Sequence, residues 1–315
     1  IVSAGNPYTT AVGAFAGHFN VTGTGNTWLG SYAGYGVSTN SNSNNTGIGY
    51  NALKVISTGV KNVALGANAG DAITTGNYTT VIGYDAGTAM TTANYNTIVG
   101  YQAGDTVTTG SNNTLIGTHA GGALTIGGSN TFIGQYSAGG SQDVNYAVII
   151  GRDAASGGNM TGAANGTIAI GYQAGLALTS GIGNTALGYQ ALMTEDAGGY
   201  SVAVGYTALK MQNGDAYNIG IGYGAGNALT TGNSNTIIGT DALGTATTAI
   251  NNVVVGQTAM ADVPAGQALT GCVTIGNQAF RGAAGTTTGA NYTVAVGDQA
   301  GKALTTGQYN VALGY

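Results

Sequence analysis

The stretch Asn96 to Gln135 reads NTIVGYQAGDTVTTGSNNTLIGTHAGGALTIGGSNTFIGQ, one phrase of seventeen residues spoken nearly three times. Its markers are an apolar triplet closed by Gly, an Ala three residues later, and a Thr-rich segment running into the next Asn. Taking the closing glycine as an anchor, the phrase recurs along the whole chain: Gly13, Gly30, Gly49, Gly66, Gly83, Gly100, Gly117, Gly134, Gly151, Gly171, Gly188, Gly205, Gly222, Gly239, Gly256, Gly276, Gly297 and Gly314. Of the seventeen intervals, thirteen are 17 residues long, and the others are 19, 20, 20 and 21. Small insertions in a fixed lattice mark loops on stacked units.

The columns of this lattice carry the fold. One residue before each anchor stands Ile, Val or Leu, and three before it a β-branched residue, from Thr10 through Thr97 to Val311. Residues two apart share one face of a strand, so these columns are expected to form an inward aliphatic and Thr ridge. The column between them (Trp28, Ala64, Ile98, Leu115, Phe132, Ala203) is expected to face the other way, towards other subunits, because a strand apolar on both faces is normally covered on both. Ala occupies the third position after the anchor in sixteen of seventeen complete rungs, Ser137 being the exception, which suggests close approach between packed sheets. A Gly or a bulky apolar residue (Leu53, Leu192, Leu243, Phe280) usually follows. The ALTTG segment at 303–307 and its relatives read as a second short strand ending in a Gly turn. Asn four before the anchor (Asn26, Asn62, Asn96, Asn113, Asn130, Asn235, Asn310) suits a corner, because Asn tolerates left-handed dihedrals and its amide can pair with neighbouring rungs. The same spacing generates Asn-x-Thr strings such as 112–114, so these say little about glycosylation. The expected architecture is all-β: a parallel β-solenoid or β-roll of about 18 rungs, one repeat domain over 1–315, on the order of 85 Å long at about 4.8 Å per rung. A helical reading fails, since each interior Gly would cost a helix about 1 kcal/mol.

Composition agrees and excludes several functions. The chain has 315 residues with 59 Gly, 43% hydrophobic residues and only 5% charged, against about 25% in an ordinary domain. Disorder pairs low hydrophobicity with high charge, and collagen needs Pro with Gly at every third position; neither holds with two prolines. Six basic and eleven acidic residues, thinly spread, offer no phosphate-binding patch, so no nucleic-acid partner is expected. No apolar run approaches a membrane span. A start at Ile1 fits a processed protein or a fragment. Cys272 is the single cysteine, so neither an internal disulfide nor a Cys-cluster zinc site is available.

The strings NVALG (62–66), SVAVG (201–205), TVAVG (293–297) and NVALG (310–314) resemble the head-domain repeat of trimeric autotransporter adhesins, a parallel β-roll. The phrase GYQAGLALTSGIGNTALGYQAL (171–192) is similar to repeats in the shafts of bacteriophage tail fibres. The resemblance implies a parallel homotrimer at a cell or virion surface, an extracellular fibre or adhesin. No cofactor is implied.

Catalysis has little to work with. His18 and His119 are six rungs apart, roughly 29 Å at the rung spacing, too far to share a site. Asp85, Asp153 and Asp241 share a column at least four rungs from each other, not the ~5–9 Å of paired glycosidase carboxylates. Glu195 and Asp196 fall in a turn-like TEDAGG. No Walker lysine follows the glycines, and no Asp recurs in every turn as calcium-binding repeats require. The tyrosines are more informative: sixteen of nineteen stand one after or five before an anchor. Tyr172, Tyr189, Tyr206 and Tyr223 occupy four successive rungs and are expected to stack. They read either as a ladder sealing an edge or subunit seam, or as a strip for cell-surface glycan or another receptor. Thr pairs at 74–75, 91–92, 108–109, 230–231 and 305–306 raise a third reading, an ice-binding array. The expected function is a stiff, non-enzymatic, protease-resistant fibre segment that associates with copies of itself, sideways and end to end.

Overall fold

The Gly that closes each triplet sets the path of the chain. In the computed structural model, which describes residues 8–38, 40–214, 217–282 and 288–315, anchor glycines hold φ near +130° to +140°, as at Gly117 (+136°) and Gly188 (+140°). L-residues avoid that region, and the space a side chain would need is also taken. A Cβ on Gly117 would stand 2.6 Å from the carbonyl oxygen of Gly134, the next anchor. Gly is therefore required twice over, by dihedral and by contact.

The residues between anchors form one strand per rung. The chain divides into two compact units, Ile1–Gly162 and Ala163–Tyr315. The first holds β1 (Thr10–Val12), β2 (Thr27–Leu29), β3 (Thr46–Ile48), β4 (Val63–Leu65), β5 (Thr80–Ile82), β6 (Thr97–Val99), β7 (Thr114–Ile116), β8 (Thr131–Ile133) and β9 (Val148–Ile150). The second holds β10 (Ile168–Ile170), β11 (Thr185–Leu187), β12 (Val202–Val204), β13 (Ile219–Ile221), β14 (Thr236–Ile238), β15 (Val253–Val255), β16 (Val273–Ile275), β17 (Val294–Val296) and β18 (Val311–Leu313). Within each unit every strand pairs with the next in parallel and in column register, as Thr97, Ile98 and Val99 with Thr114, Leu115 and Ile116. Each unit is a parallel β-solenoid with the 17-residue period. Among the described residues the one helical turn is a 3-10 turn, Gly162–Ala164, inside the insertion between Gly151 and Gly171.

The sides of the strand are the reverse of the sequence expectation. The middle column lies inside: Trp28, Ala64, Ile98, Leu115, Phe132, Ile149 and Ala203 have no exposed surface. The flanking columns face out, with Val63 39%, Leu65 44% and Leu187 43% exposed. The reason is volume. The inner column varies from Gly to Trp and is matched by the residue four after the anchor, which is small where the strand residue is large: Gly34 with Trp28, Gly104 with Ile98, Gly121 with Leu115, Ala138 with Phe132. Where the strand residue is small the partner is large, as with Gly47 and Leu53, Ala186 and Leu192, or Ala203 and Leu209. A Cβ on Gly104 would fall 2.8 Å from Leu115 Cδ1 and 3.1 Å from Ile98 Cδ1, so the two columns share one interior space. Other rungs do not follow this exchange: Ile237 with Leu243 and Val254 with Met260 are large on both sides, and Ala11 with Gly17, Ala64 with Gly70, Ala169 with Gly175, Gly220 with Gly226 and Ala295 with Gly301 are small on both. A third inner column, seven after the anchor, adds Ile56, Ile73, Met90, Val107, Leu124, Leu178 and Leu229, all 0–1% exposed.

The opposite wall is not the second strand expected at ALTTG, nor does the Ala column lie between sheets. After the anchor the chain turns with left-handed residues at the second and fourth positions, as at Gln102 (φ 50°) and Gly104 (φ 52°), with buried Ala103 between them. Their N–H groups point to opposite neighbours: Gln102 donates back to the Tyr84 carbonyl and Gly104 forward to the Ala120 carbonyl, both at 3.0 Å. Non-Gly left-handed residues each cost about 1–2 kcal/mol, and these inter-rung bonds offset it. The Thr segment adds one further rung-to-rung bond, Thr91 N–H to the Thr108 carbonyl at 3.0 Å. Stacked turns thus replace a sheet.

The Asn column forms the expected ladder, buried at 0–1% exposure. Asn113 N–H donates to Asn96 Oδ1 (2.9 Å) and Asn130 N–H to Asn113 Oδ1 (3.1 Å), while Asn96 Nδ2 donates to the Gly110 carbonyl (2.9 Å) and Asn113 Nδ2 to the Gly127 carbonyl (3.0 Å). In the second unit the ladder runs through Asn184, Ser201, Asn218, Asn235 and Asn252 to the N–H of Cys272. The left-handed residue is not the Asn but the one before it, such as Tyr95 (φ 56°), Asn112 (φ 62°) or Tyr217 (φ 58°). That leaves the Asn side chain inside, where its oxygen and its nitrogen both bond the following rung while its own N–H donates to the preceding one.

Two substitutions test this account. Gly117→Ala is expected to cost more than about 4 kcal/mol, while Gly162→Ala, where a Cβ would meet nothing within 4 Å, stays within about 0.5 kcal/mol by denaturant unfolding. Asn113→Ala leaves the Asn130 N–H and the Gly127 carbonyl buried without a partner and is expected to cost about 2–4 kcal/mol by the same measurement.

Candidate functional surface

Outward from the strand, each rung offers four columns that bear no repeated charge. Thr, Val or Ile stands three before the anchor and Ile, Val or Leu one before it; Tyr recurs five before and one after. The ring stacks follow from the parallel register, which repeats every column position at each rung. Tyr172, Tyr189, Tyr206 and Tyr223 come together as one stack, with centroids 5.4, 4.8 and 5.3 Å apart and the last two pairs 6° from parallel. Tyr84 and Tyr101 stack at 5.7 Å. The column five before the anchor stacks too: Tyr78 on Tyr95 (5.0 Å), Tyr200 on Tyr217 (5.6 Å) and Tyr292 on Tyr309 (5.2 Å). Where that column has Lys61 in place of Tyr, its ammonium lies 4.8 Å from the Tyr78 ring centroid and donates to the phenol oxygen at 3.2 Å.

Parallel stacking decides what these rings can offer. Each inner ring turns both faces to neighbouring rings, leaving its edge and hydroxyl to solvent at 40% exposure for Tyr189 and 47% for Tyr206. A sugar that packs on an aromatic face would find only the end rings of a stack open. Hydrogen bonding to a row of phenol hydroxyls at the rung repeat is the chemistry that the whole stack presents.

The other candidate positions lie apart. His119 stacks on Tyr136 at 5.1 Å and meets the edge of Tyr101 at 5.6 Å, whereas His18 sits among Phe15, Phe19 and Tyr35. Asp85 accepts from Asn68 Nδ2 at 2.9 Å, itself in line with Asn51, and Asp153 pairs with Arg152 at 3.3 Å. Asp241 lines an open groove of about 290 Å³ with Asn227, Thr245, Thr258 and the Asp262–Arg281 ion pair. Among the described residues no three His, Cys, Asp or Glu gather as metal ligands, and no helix is long and apolar enough to cross a membrane. In the Thr pairs, the first hydroxyl is committed within the fold: Thr74, Thr91 and Thr108 Oγ1 donate to the carbonyls of Thr91, Thr108 and Thr125. The second Thr of each pair is exposed.

Two features escaped sequence reasoning. The aromatic cluster of Phe15, Phe19, Tyr32 and Tyr35 has two members, Phe15 and Tyr32, in the otherwise mostly polar column two after the anchor, a signal visible once that column is read down the chain. Glu195 is not in an open turn but fully buried, seven after Gly188, where ten of the seventeen complete rungs place Leu, Ile, Met or Val. The next rung answers with Gln212, whose Nε2 donates to Glu195 Oε2 (2.9 Å) and to Ser201 Oγ (3.0 Å). Gly198 N–H donates to Glu195 Oε1 at 2.6 Å, and Asn218 Nδ2 to Gln212 Oε1 at 3.1 Å. Burial pushes the Glu195 carboxyl above its ordinary range, and the N–H of Gly198 and of Gly214, then Gln212, pull it partly back.

A raised folded-state value means that the fold favours the protonated acid. The stability linked to Glu195 is complete below the ordinary Glu range and declines as pH rises through the raised value. Glu195→Gln is therefore expected to raise Tm at pH 8 and to flatten the fall in Tm between pH 4 and pH 8, measured by calorimetry.

No family model, curated protein or solved structure matches the chain.

Proposed function

We propose that this protein is a structural segment of an extracellular fibre or adhesin, a non-enzymatic module that associates with copies of itself and displays a repetitive surface for attachment. The observation that carries this reading is the lattice itself: eighteen near-equivalent rungs with no repeated charge on the outward strand face. A function that needs one set of converging groups has no reason to repeat a rung eighteen times; a function that needs length and multivalency does. Six basic residues in 315 leave trypsin few sites, and rungs joined by backbone bonds and by a buried Asn ladder resist the local opening that proteolysis requires. The resemblance to adhesin heads and tail-fibre shafts points the same way. The homotrimer it implies is one form such association would take, although the residues that were to face the neighbour, Ile98 and its column, are inside the coil.

Attachment is assigned to the tyrosine rows, through their hydroxyl edges. Replacing Tyr189 and Tyr206 together by Phe keeps the stack and removes the hydroxyls. Binding to an array of immobilised glycans is expected to fall at least tenfold with Tm unchanged, and equal binding by the Phe variant would reject the hydroxyl-edge assignment. Replacement by Ala is expected to lower both, at about 0.5–1.5 kcal/mol per lost ring pair.

A further inference from the structure

Among the described residues of each unit, the outward strand face is left partly open. In each of the eighteen rungs both its positions are β-branched or aliphatic: nine Thr, seven Val and two Ile three before the anchor, and only Ile, Val or Leu one before it. Within the first unit Val63, Leu65 and Ile116 are 39%, 44% and 36% exposed, and in the second Leu187, Ile221 and Ile275 are 43%, 38% and 41% exposed. Two side chains per rung, each open by about a third of its surface or less, amount to on the order of 800 Å² over the nine rungs of one unit, part of it Thr hydroxyl. That exceeds the ~300–600 Å² of the largest patch on an ordinary monomer and reaches the ~800 Å² per partner of a standard interface. Parallel sheets are normally covered on both faces.

We infer that this face is the seam at which copies of the chain dock, the outward columns of one copy packing against the same columns of another. The inference rests on the self-association proposed above and assigns it a surface. Three observations select a second copy as the occupant. The strip carries no charge, so it offers no electrostatic handle to a charged partner. Its area matches what a stable pair requires. Its ridges and grooves repeat once per rung, and the surface that shares this period is the same face of another copy, so side chains can interdigitate at the ~10 Å spacing of packed sheets along the whole strip. The tyrosine rows border the strip in sequence on either side, and their hydroxyl edges suit the polar rim of such an interface. A twofold pair and a threefold bundle both bury the strip, and both are forms of this seam.

The experiment uses the whole chain and three substitutions. Leu65→Lys and Leu187→Lys place a charge on the strip in the first and second unit. Ile126→Lys charges an equally apolar residue, 61% exposed, that lies outside the strip, in the Thr-pair column. Mass is read by sedimentation equilibrium over a thousandfold concentration range, with circular dichroism as a check on folding. The expected result is an oligomeric wild type, an oligomeric Ile126→Lys variant, and Leu65→Lys and Leu187→Lys variants that are folded but at least a hundredfold weaker in association. Oxidative cross-linking covers the case in which the lysine variants fail to fold: Leu65→Cys is expected to give disulfide-linked chains and Ile126→Cys to give none, with buried Cys272 as the unreactive background. An oligomer that survives both lysine substitutions, or that cross-links through Ile126→Cys and not Leu65→Cys, overturns the seam and leaves self-association standing. A wild type that is monomeric throughout overturns both.

Discussion

Backbone contact at the anchor glycines is the constraint on which the remaining architecture depends. Within each unit a rung lays a carbonyl where the rung before would carry a Cβ, so successive turns meet at backbone distance at this corner. Once that contact repeats every 17 residues, every other position meets its own column in the next turn. Register then needs no separate explanation. A slip of one residue would bring a side chain to a place where no Cβ fits, whereas an ordinary sheet resists slippage only through its hydrophobic pattern. The insertions before Gly49, Gly171, Gly276 and Gly297 respect this, since each lies between anchors and leaves the strand and its closing Gly intact.

Given that register, polar and apolar groups separate by column and not by segment. Each unit keeps its buried aliphatic side chains in three inner columns, and its buried amides in a line where Asn side chains such as that of Asn113 bond the following rung and the backbone N–H donates to the preceding one. A buried amide is costly alone and favourable in a continuous ladder, because each carbonyl oxygen meets an N–H from the next turn. Ser201 and Thr79 keep the line going with a hydroxyl where the amide is missing. The Glu195–Gln212 pair is a different kind of departure, a polar inclusion in an aliphatic column that is satisfied by its own small network at the cost of a pH-sensitive point.

On the outside, the same repetition turns single residues into rows. One Tyr at a corner is unremarkable in its chemistry, but in register it becomes a stack whose faces are spent on neighbours and whose edges are shared with solvent. The hydroxyls of the Thr pairs are likewise half spent, on carbonyls of the following rung. What remains partly free beside these rows is an uncharged strip of aliphatic and Thr side chains, repeated once per rung.

Period, strand position, the Asn ladder and the Tyr stacks were legible in the sequence because each depends on recurrence alone, and recurrence can be counted. Which side of the strand is the core was not legible. All three strand positions are apolar, and a period of two says only that the first and third differ from the second. The telling signal was variance: Trp28, Gly47 and Ile98 differ in size as Gly34, Leu53 and Gly104 at the turn differ in the opposite sense, while the exposed columns, free of that demand, stay uniformly β-branched or aliphatic for the strand itself. The absence of a second strand was equally hidden, since Thr-rich segments favour strands and only the backbone shows left-handed turns stacked in their place. Glu195 illustrates the limit in a single residue. Its neighbours spell a solvated turn, and only the tertiary structure puts its carboxylate inside, because the column to which a residue belongs decides its surroundings more than the residues beside it in the chain.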